Sequence, residues 1–166
     1  MKYKQVIALL LASQLLTTPV LLGADVKPEQ TEDGERFVDE SGQLTLNTKG
    51  YAVEKDTKDE TGNIISRSYF GVDGSPVTIS DGYSIVKYKY DEQNRVIETR
   101  YFDTKGQPVL INRQIAGIDN TYDGEGNIAS EAFVGTDGEA ILLPDGYHRA
   151  DYTYDGNKRK ITARYF

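Results

Sequence analysis

Five tyrosines stand among polar neighbours just before predicted turns, where their rings could stack on sugars. They are Tyr88, Tyr90, Tyr122, Tyr152 and Tyr154. A tyrosine ring combines an apolar face with a hydroxyl that can form hydrogen bonds. The competing interpretation is that these rings are exposed without a function, as many apolar side chains are. The five tyrosines are the candidate ligand-binding residues, and the expected partner is a cell-surface glycan or protein.

Acidic residues at the turns form a second candidate set, for calcium. Asp59, Asp91, Asp123 and Asp155 each begin a turn, and Glu60, Glu92 and Glu125 follow closely. A calcium loop of the EF-hand type needs alternating carboxylates and a bidentate Glu, and no turn here has that spacing. Hydrogen bonds to backbone amides already explain an Asp at the start of a turn. The sequence therefore predicts no metal site.

Catalytic chemistry has little support. The single histidine is His148, and the residues 32, 64 and 96 positions before it are Ala116, Ser84 and Ala52. Cysteine is absent, which excludes a thiol nucleophile, a disulfide framework and a cysteine-rich zinc site. No G-x-S-x-G elbow is present. We expect a non-enzymatic protein without a cofactor.

These residues belong to a unit that recurs every 32 residues. A Gly-Tyr step opens three units, at Tyr51, Tyr83 and Tyr147, and Ile115 takes the same position in another. Each unit continues through a turn, an aromatic or apolar pair such as Tyr101-Phe102, and a second turn. Counted from that pair, four units span 37–68, 69–100, 101–132 and 133–164. A period of this length indicates an array of stacked units.

The segments between the turns favour strands. Apolar residues alternate with a period of 2, so that Ile65 and Tyr69 share one face and Phe70 points to the other. D-x-x-G turns between such runs favour hairpins with a glycine bulge. We expect three short strands per unit, about a dozen in all, and no helix in the mature chain. The predicted fold class is all-β: an elongated array of four antiparallel hairpin or meander units, with internal ladders formed by Tyr69, Tyr101 and Tyr165.

The amino-terminal residues 1–24 have the pattern of a secretory signal peptide, which we expect to be helical. Lys2 and Lys4 precede a mostly apolar run, and Ala24 is the expected last residue removed. An uncleaved membrane anchor is the alternative, although polar residues and Pro19 interrupt the run. Residues 25–36 are acidic and predict a solvated linker. The expected location is secreted or at the cell surface.

Charge excludes one class of partner. The formal net charge is −7 and no cluster of Lys and Arg occurs, whereas nucleic-acid phosphates are bound by such clusters. We expect a monomer that contacts a membrane only through residues 1–24, if these are retained.

Three motifs resemble a known repeat class. Y-x-Y-D-x-x-x-R at 88–95, Y-D-x-x-G-N at 122–127 and Y-F-D-x-x-G-x-P-V at 101–109 resemble the tyrosine-rich YD-type repeats of bacterial exported and surface proteins. The Tyr-Phe-turn-Gly portion is also similar to cell-wall-binding and glucan-binding repeats. The resemblance covers about 37–166 and implies a secreted β-repeat. The chain has no Trp, so the tryptophan-based ligand pockets of those repeats are not carried over.

Overall fold

A computed structural model describes residues 25–166, which form one open sheet of ten antiparallel strands. The strands are β1 (Lys27–Thr31), β2 (Gly34–Val38), β3 (Val53–Lys58), β4 (Ile64–Phe70), β5 (Ile85–Tyr90), β6 (Val96–Phe102), β7 (Gly117–Tyr122), β8 (Ile128–Val134), β9 (Arg149–Tyr154) and β10 (Lys160–Tyr165). Sheet order follows chain order, so each strand contacts only its neighbours in sequence. The all-β prediction is confirmed for this part of the chain, where no helix occurs. The predicted signal-peptide helix lies outside the described residues.

Aspartate-led turns close the hairpins, as the sequence predicts. Asp59 accepts hydrogen bonds from the backbone amides of Thr61 and Asn63, both at 2.9 Å, through one carboxylate oxygen. Gly62 then takes a positive φ of 90°, which glycine adopts at little cost. The strand register shifts between Thr57 and Lys58, which is the predicted bulge. The same hydrogen bonds and bulge recur at Asp91, Asp123 and Asp155, where the positive-φ residue is Asn94, Gly126 and Lys158, respectively.

The prediction of a third strand in each unit is wrong. The runs 76–79, 108–111 and 140–143 make one isolated bridge each, such as Phe70 to Pro76. They lie between two closely spaced turns, where Val77 donates to the Tyr69 carbonyl and Ile79 donates to the Tyr83 carbonyl. Four residues between such turns cannot extend into a ladder. These runs instead cover one end of the sheet.

The core lies between this cover and a continuous row of side chains on one sheet face. The row consists of Phe37, Tyr51, Tyr69, Tyr83, Tyr101, Ile115, Phe133, Tyr147 and Tyr165. Its neighbouring rings stand 4.7–6.0 Å apart, a spacing at which aromatic pairs attract. Ile79, Ile111 and Leu143 from the covering runs pack against the row. The predicted ladder roles of Tyr69 and Tyr101 are confirmed, and Tyr165 ends the row, stacked on Tyr147 but 59% exposed.

The interpretation of residues 25–36 as a linker needs correction. They contain β1 and the start of β2, which pair around the two-residue turn Glu32-Asp33. The β1 side chains are all exposed, and polar pairs such as Arg36 with Glu29, at 2.7 Å, span the two strands. Because such a hairpin buries little apolar surface, it leaves no alternation of apolar residues in the sequence.

Gln114 is expected to be a strained residue whose replacement by glycine stabilises the fold. It has φ of 62°, whereas the corresponding positions are Gly50, Gly82 and Gly146. This conformation costs a non-glycine residue about 1–2 kcal/mol, part of which the extra freedom of glycine in the unfolded chain offsets. Gln114→Gly should therefore raise the free energy of unfolding by up to about 1 kcal/mol in urea titrations.

Gly146→Gln is the matched reverse substitution. A Cβ at Gly146 would meet no atom within 4 Å, so only the backbone conformation opposes it, and a loss of about 1 kcal/mol is expected. The explanation fails if Gln114→Gly has no effect while Gly146→Gln destabilises the protein.

Candidate functional site

Three of the five candidate tyrosines bind the main chain of a neighbouring hairpin. The hydroxyl of Tyr90 donates to the carbonyl of Ile64 at 2.8 Å. Tyr122 and Tyr154 form the same bond at 2.7 and 2.9 Å, with Val96 and Ile128 as acceptors. Donor and acceptor are 26 residues apart in every case. The bond therefore recurs at three of the four places where one hairpin meets the next; at β2–β3, Lys58 stands at the equivalent position.

These bonds close the open ends of three seams, β4–β5, β6–β7 and β8–β9. Strands within a hairpin pair at five or six positions, but β4 and β5 pair only from Ser66 to Ser68. The strand pairing ends at Ser66, and beyond that point the Tyr90 hydroxyl donates to the Ile64 carbonyl. At the next seam, the Arg95 guanidinium also covers the Tyr122 ring at 4.5 Å. These contacts give Tyr90, Tyr122 and Tyr154 a structural role.

The other two candidates, Tyr152 and Tyr88, are separate from each other. Tyr152 donates to the carboxylate of Glu131 at 2.6 Å, and Lys160 lies 3.4 Å above its ring. Burial and the Glu131 carboxylate raise the pKa of Tyr152. Tyr88 is half-buried on β5, where burial raises its pKa to about 12. The five tyrosines lie on β5, β7 and β9, two strand spacings or roughly 10 Å apart, and do not meet in one pocket.

Tyr122→Phe is expected to lower the free energy of unfolding by about 1 kcal/mol, because the Val96 carbonyl loses its donor. Urea titration measures this loss, and amide exchange should quicken at that seam. Tyr88→Phe is the matched control, since the Tyr88 hydroxyl has no hydrogen bond to another residue within 25–166. Equal costs for the two substitutions would contradict the role assigned to the hydroxyl.

The turn aspartates use their carboxylates within the turns. The Thr61 hydroxyl and the Asn63 amide hold the pKa of Asp59 below its ordinary value. The amide and guanidinium of Arg159 do the same for Asp155. Within residues 25–166, no group of three or more His, Cys, Asp or Glu side chains is arranged to hold a metal ion.

His148 lies in the main-chain ladder at the end of the sheet. Its amide donates to the Phe166 carbonyl at 2.7 Å, and its carbonyl accepts from the Phe133 amide at 2.8 Å. The corresponding positions hold Ala52, Ser84 and Ala116, so this backbone role does not depend on an imidazole.

A cavity of about 210 Å³ lies where the connection after β6 meets the aromatic row. Its lining residues are Asp81, Tyr83, Tyr101, Ile111, Asn112 and Arg113. The rings of Tyr83 and Tyr101 form the apolar wall, with centroids 4.9 Å apart and planes inclined at 48°. Asn112 and Arg113 are exposed at the rim. An apolar wall with a few polar groups is the usual composition of a small-ligand site.

The sequence period breaks beside this cavity. Ile115 stands where the other units have Tyr51, Tyr83 and Tyr147, and it is fully buried. Tyr101 consequently has an aromatic neighbour on one side only, at Tyr83. The shorter side chain at 115 thus interrupts the ring row next to the cavity.

A second break lies two residues further on, at Gly117. The corresponding positions are Val53, Ile85 and Arg149. A Cβ at Gly117 would stand 2.5 Å from the Thr99 carbonyl oxygen and 2.6 Å from Cδ of Arg100. Glycine therefore allows Arg100 to lie against the strand. On this opposite face, a cavity of about 240 Å³ opens beside Arg100.

The sequence patterns do not predict the cavity on the sheet face that carries the aromatic row. Tyr83 is not among the five candidate ligand-binding tyrosines, and Tyr101 is predicted only to form an internal ladder. The available signal was the run of departures from the period at Gln114, Ile115 and Gly117. Such a run marks the β6–β7 seam as different from the other seams.

Comparison with protein-family models gives no match for this sequence, and no curated protein is significantly similar to it. Within residues 25–166, no helix is long and apolar enough to cross a membrane.

Proposed function

We infer that this protein is a non-enzymatic β-repeat module that binds a glycan at the β6–β7 seam. In this proposal the chain is a four-unit array, exported to the cell surface or secreted. Tyr83 and Tyr101 contact the apolar face of a sugar ring, and Asp81 and Asn112 bind its hydroxyls. The apolar beginning of the chain, with Lys2 and Lys4 before it, supports export.

One observation carries the proposal: the departures from the sequence period at 114, 115 and 117 are adjacent in sequence to residues that line the cavities, Arg113 and Ala116. A repeat that served only as a spacer would have no reason to differ at one seam. At β6–β7, the ring row is interrupted by Ile115 and the backbone is strained at Gln114. Gln114 shares its positive φ with the non-glycine residues Asn94 and Lys158, and strain of this kind is found at functional sites. The cavity beside it has aromatic and polar walls.

The wall chemistry favours a sugar over a fully apolar ligand. Tyr83 and Tyr101 offer tilted rings at 4.9 Å, against which the C–H groups of a sugar ring can pack. Asn112 donates its amide to the Ser80 carbonyl at 2.6 Å, which fixes the direction of its side chain. Its amide oxygen can accept a hydrogen bond from a sugar hydroxyl. A sugar can make both contacts at once, with its C–H groups against the rings and its hydroxyls on the polar groups.

A purely structural spacer is the second candidate function. The recurring bonds of Tyr90, Tyr122 and Tyr154 to main-chain carbonyls favour it. These bonds give the most obvious ligand candidates a role in holding hairpins together. In a spacer, the cavity at β6–β7 would bind nothing.

A glycan array probed with the purified full-length protein separates the two functions. Array members that bind would then be titrated by calorimetry. Asn112→Ser, which installs the residue type found at position 80, is expected to weaken binding and to lower the free energy of unfolding by about 1 kcal/mol, because the Ser80 carbonyl loses its donor. Asn157→Ser, at an exposed turn far from the cavity, is the matched control. Failure of every array member to bind, with the fold intact, would leave the spacer as the function.

A further inference from the structure

Arg113 belongs to an alternation of charges along the connections that follow β2, β4, β6 and β8. The residues at this place in successive units are Lys49, Asp81, Arg113 and Asp145. The first two form an ion pair at 3.3 Å between neighbouring connections. The same alternation would allow Arg113 to pair with Asp145. Among residues 25–166, however, no carboxylate lies within ion-pair distance of the Arg113 guanidinium.

Pro144 explains why the stacking ends here. Neighbouring connections are joined by main-chain bonds, from the Ser80 amide to the Lys49 carbonyl at 2.9 Å and from the Asn112 amide to the Asp81 carbonyl at 3.2 Å. The next residue in this series is Pro144. Proline has no amide hydrogen to donate. The connection that carries Asp145 is therefore not tied to Arg113 in this way.

Arg113 instead lies at the rim of the cavity that Tyr83 and Tyr101 line. Its guanidinium is 5.7 Å from the centroid of the Phe133 ring, and the residue is exposed. The nearest acidic wall residue, Asp81, is already compensated by Lys49. The charge left for a ligand at this rim is therefore positive, in a protein whose net charge is −7.

We propose that the bound sugar carries an oxyanion, a carboxylate or a sulfate, which pairs with the Arg113 guanidinium. This inference rests on the proposed glycan-binding function. A guanidinium presents donors in a planar fork that matches two oxygens of such a group. The sugar ring packs on Tyr83 and Tyr101 while its oxyanion reaches Arg113. Asn112, adjacent in sequence, binds a hydroxyl.

The test uses a glycan array in which each uronate-bearing or sulfated member has a neutral counterpart. The full-length protein is expected to bind the anionic member of a pair and to bind the neutral one at least tenfold more weakly. Arg113→Gln should weaken binding of the anionic sugar by roughly tenfold to hundredfold and remove the preference. Binding should also weaken as salt rises. The uronate and sulfate arms identify which oxyanion is preferred.

Arg164→Gln is the matched control, because it removes the same charge from an exposed arginine on the far edge strand β10. Arg113→Lys keeps the charge without the planar fork and should restore part of the preference. Equal binding of neutral and anionic members would overturn the inference while leaving the proposed function intact. Binding of neither would overturn the proposed function itself. An anionic preference unchanged in Arg113→Gln would also overturn the inference.

Discussion

Phe133→Ala is expected to lower the free energy of unfolding by about 3–5 kcal/mol. Phe133 is 3% exposed and packs with Ile111, Ile115 and Leu143. Its ring also lies against Tyr147, with centroids 6.0 Å apart. Alanine would leave a cavity next to Ile115, where the row of side chains has an aliphatic residue in place of a ring. The neighbouring side chains cannot collapse into it without breaking the contact between the row and its cover.

Urea denaturation measures this loss, and Tyr165→Ala is the matched control. Tyr165 belongs to the same row and stacks on Tyr147 at 4.7 Å, but it is 59% exposed. Its removal should cost about 0.5–1.5 kcal/mol, the range of one aromatic pair. If Phe133→Ala costs no more than Tyr165→Ala, the core does not lie between the row and the covering runs.

The second large effect is expected at Arg67, the only cation in a half-buried group of charges on β3 and β4. Arg67 binds Asp56 through two bonds of 2.7 and 2.8 Å, and Glu54 at 3.0 Å. The side chains of Asp56 and Glu54 are 7% and 11% exposed. Arg67→Met would leave both carboxylates without a cation, and Glu54 would keep only the Tyr51 hydroxyl, at 3.2 Å. Because Arg67 is 30% exposed, the loss should fall near the lower end of the range for a broken buried pair, about 3 kcal/mol.

This loss should depend on pH through Glu54. Burial raises the pKa of Glu54 above its ordinary value even though Arg67 opposes the shift, so removing Arg67 should raise it further. A raised folded pKa means that the native state binds more protons than the unfolded state, and its stabilising contribution is present at low pH and is lost as pH rises. The difference between wild type and Arg67→Met should therefore be largest at neutral pH. This difference in the free energy of unfolding should shrink as pH falls towards the ordinary pKa of a glutamate carboxyl.

A double-mutant cycle with Glu54→Gln checks the assignment. In the Glu54→Gln background, Arg67→Met should cost less and its cost should vary less with pH, since one of the two carboxylates is gone. The turn aspartates have lowered pKa values, so their stabilising contribution is lost as pH falls. Because every variant loses it equally, comparing the variants at the same pH removes this effect. A cost of Arg67→Met that is the same at all pH values would contradict the role given to Glu54.

The sheet could be predicted from the sequence because its determinants are local. Asp59 and Gly62 define a hairpin through their own backbone bonds, and the alternation around Tyr69 assigns a buried face. The hairpin β1–β2 was missed because its stability comes from polar pairs such as Arg36 with Glu29, which leave no apolar pattern. The third strands were wrongly predicted because runs such as 76–79 resemble strands in composition. Two turns on either side prevent them from pairing further.

The candidate site was less predictable because it depends on contacts between units. Tyr90 precedes a turn and has polar neighbours, which suggested a free ring, yet its hydroxyl reaches a carbonyl 26 residues away. No local pattern encodes that bond. The cavity at Tyr83 and Tyr101 likewise needs Asn112 from a third segment. Only the departures from the 32-residue period, at Gln114, Ile115 and Gly117, pointed to this seam from the sequence.

A nuclear magnetic resonance titration of the full-length protein tests the glycan site most directly. The probe is the array member that binds most tightly, added to isotopically labelled protein. We expect the backbone signals of residues 81–83, 100–102 and 111–114 to shift. With an anionic probe, Arg113→Gln should need a higher probe concentration to give the same shifts. Shifts centred instead on Tyr88, Tyr90, Tyr152 and Tyr154, or an array with no binding member, would contradict a sugar site at the β6–β7 seam.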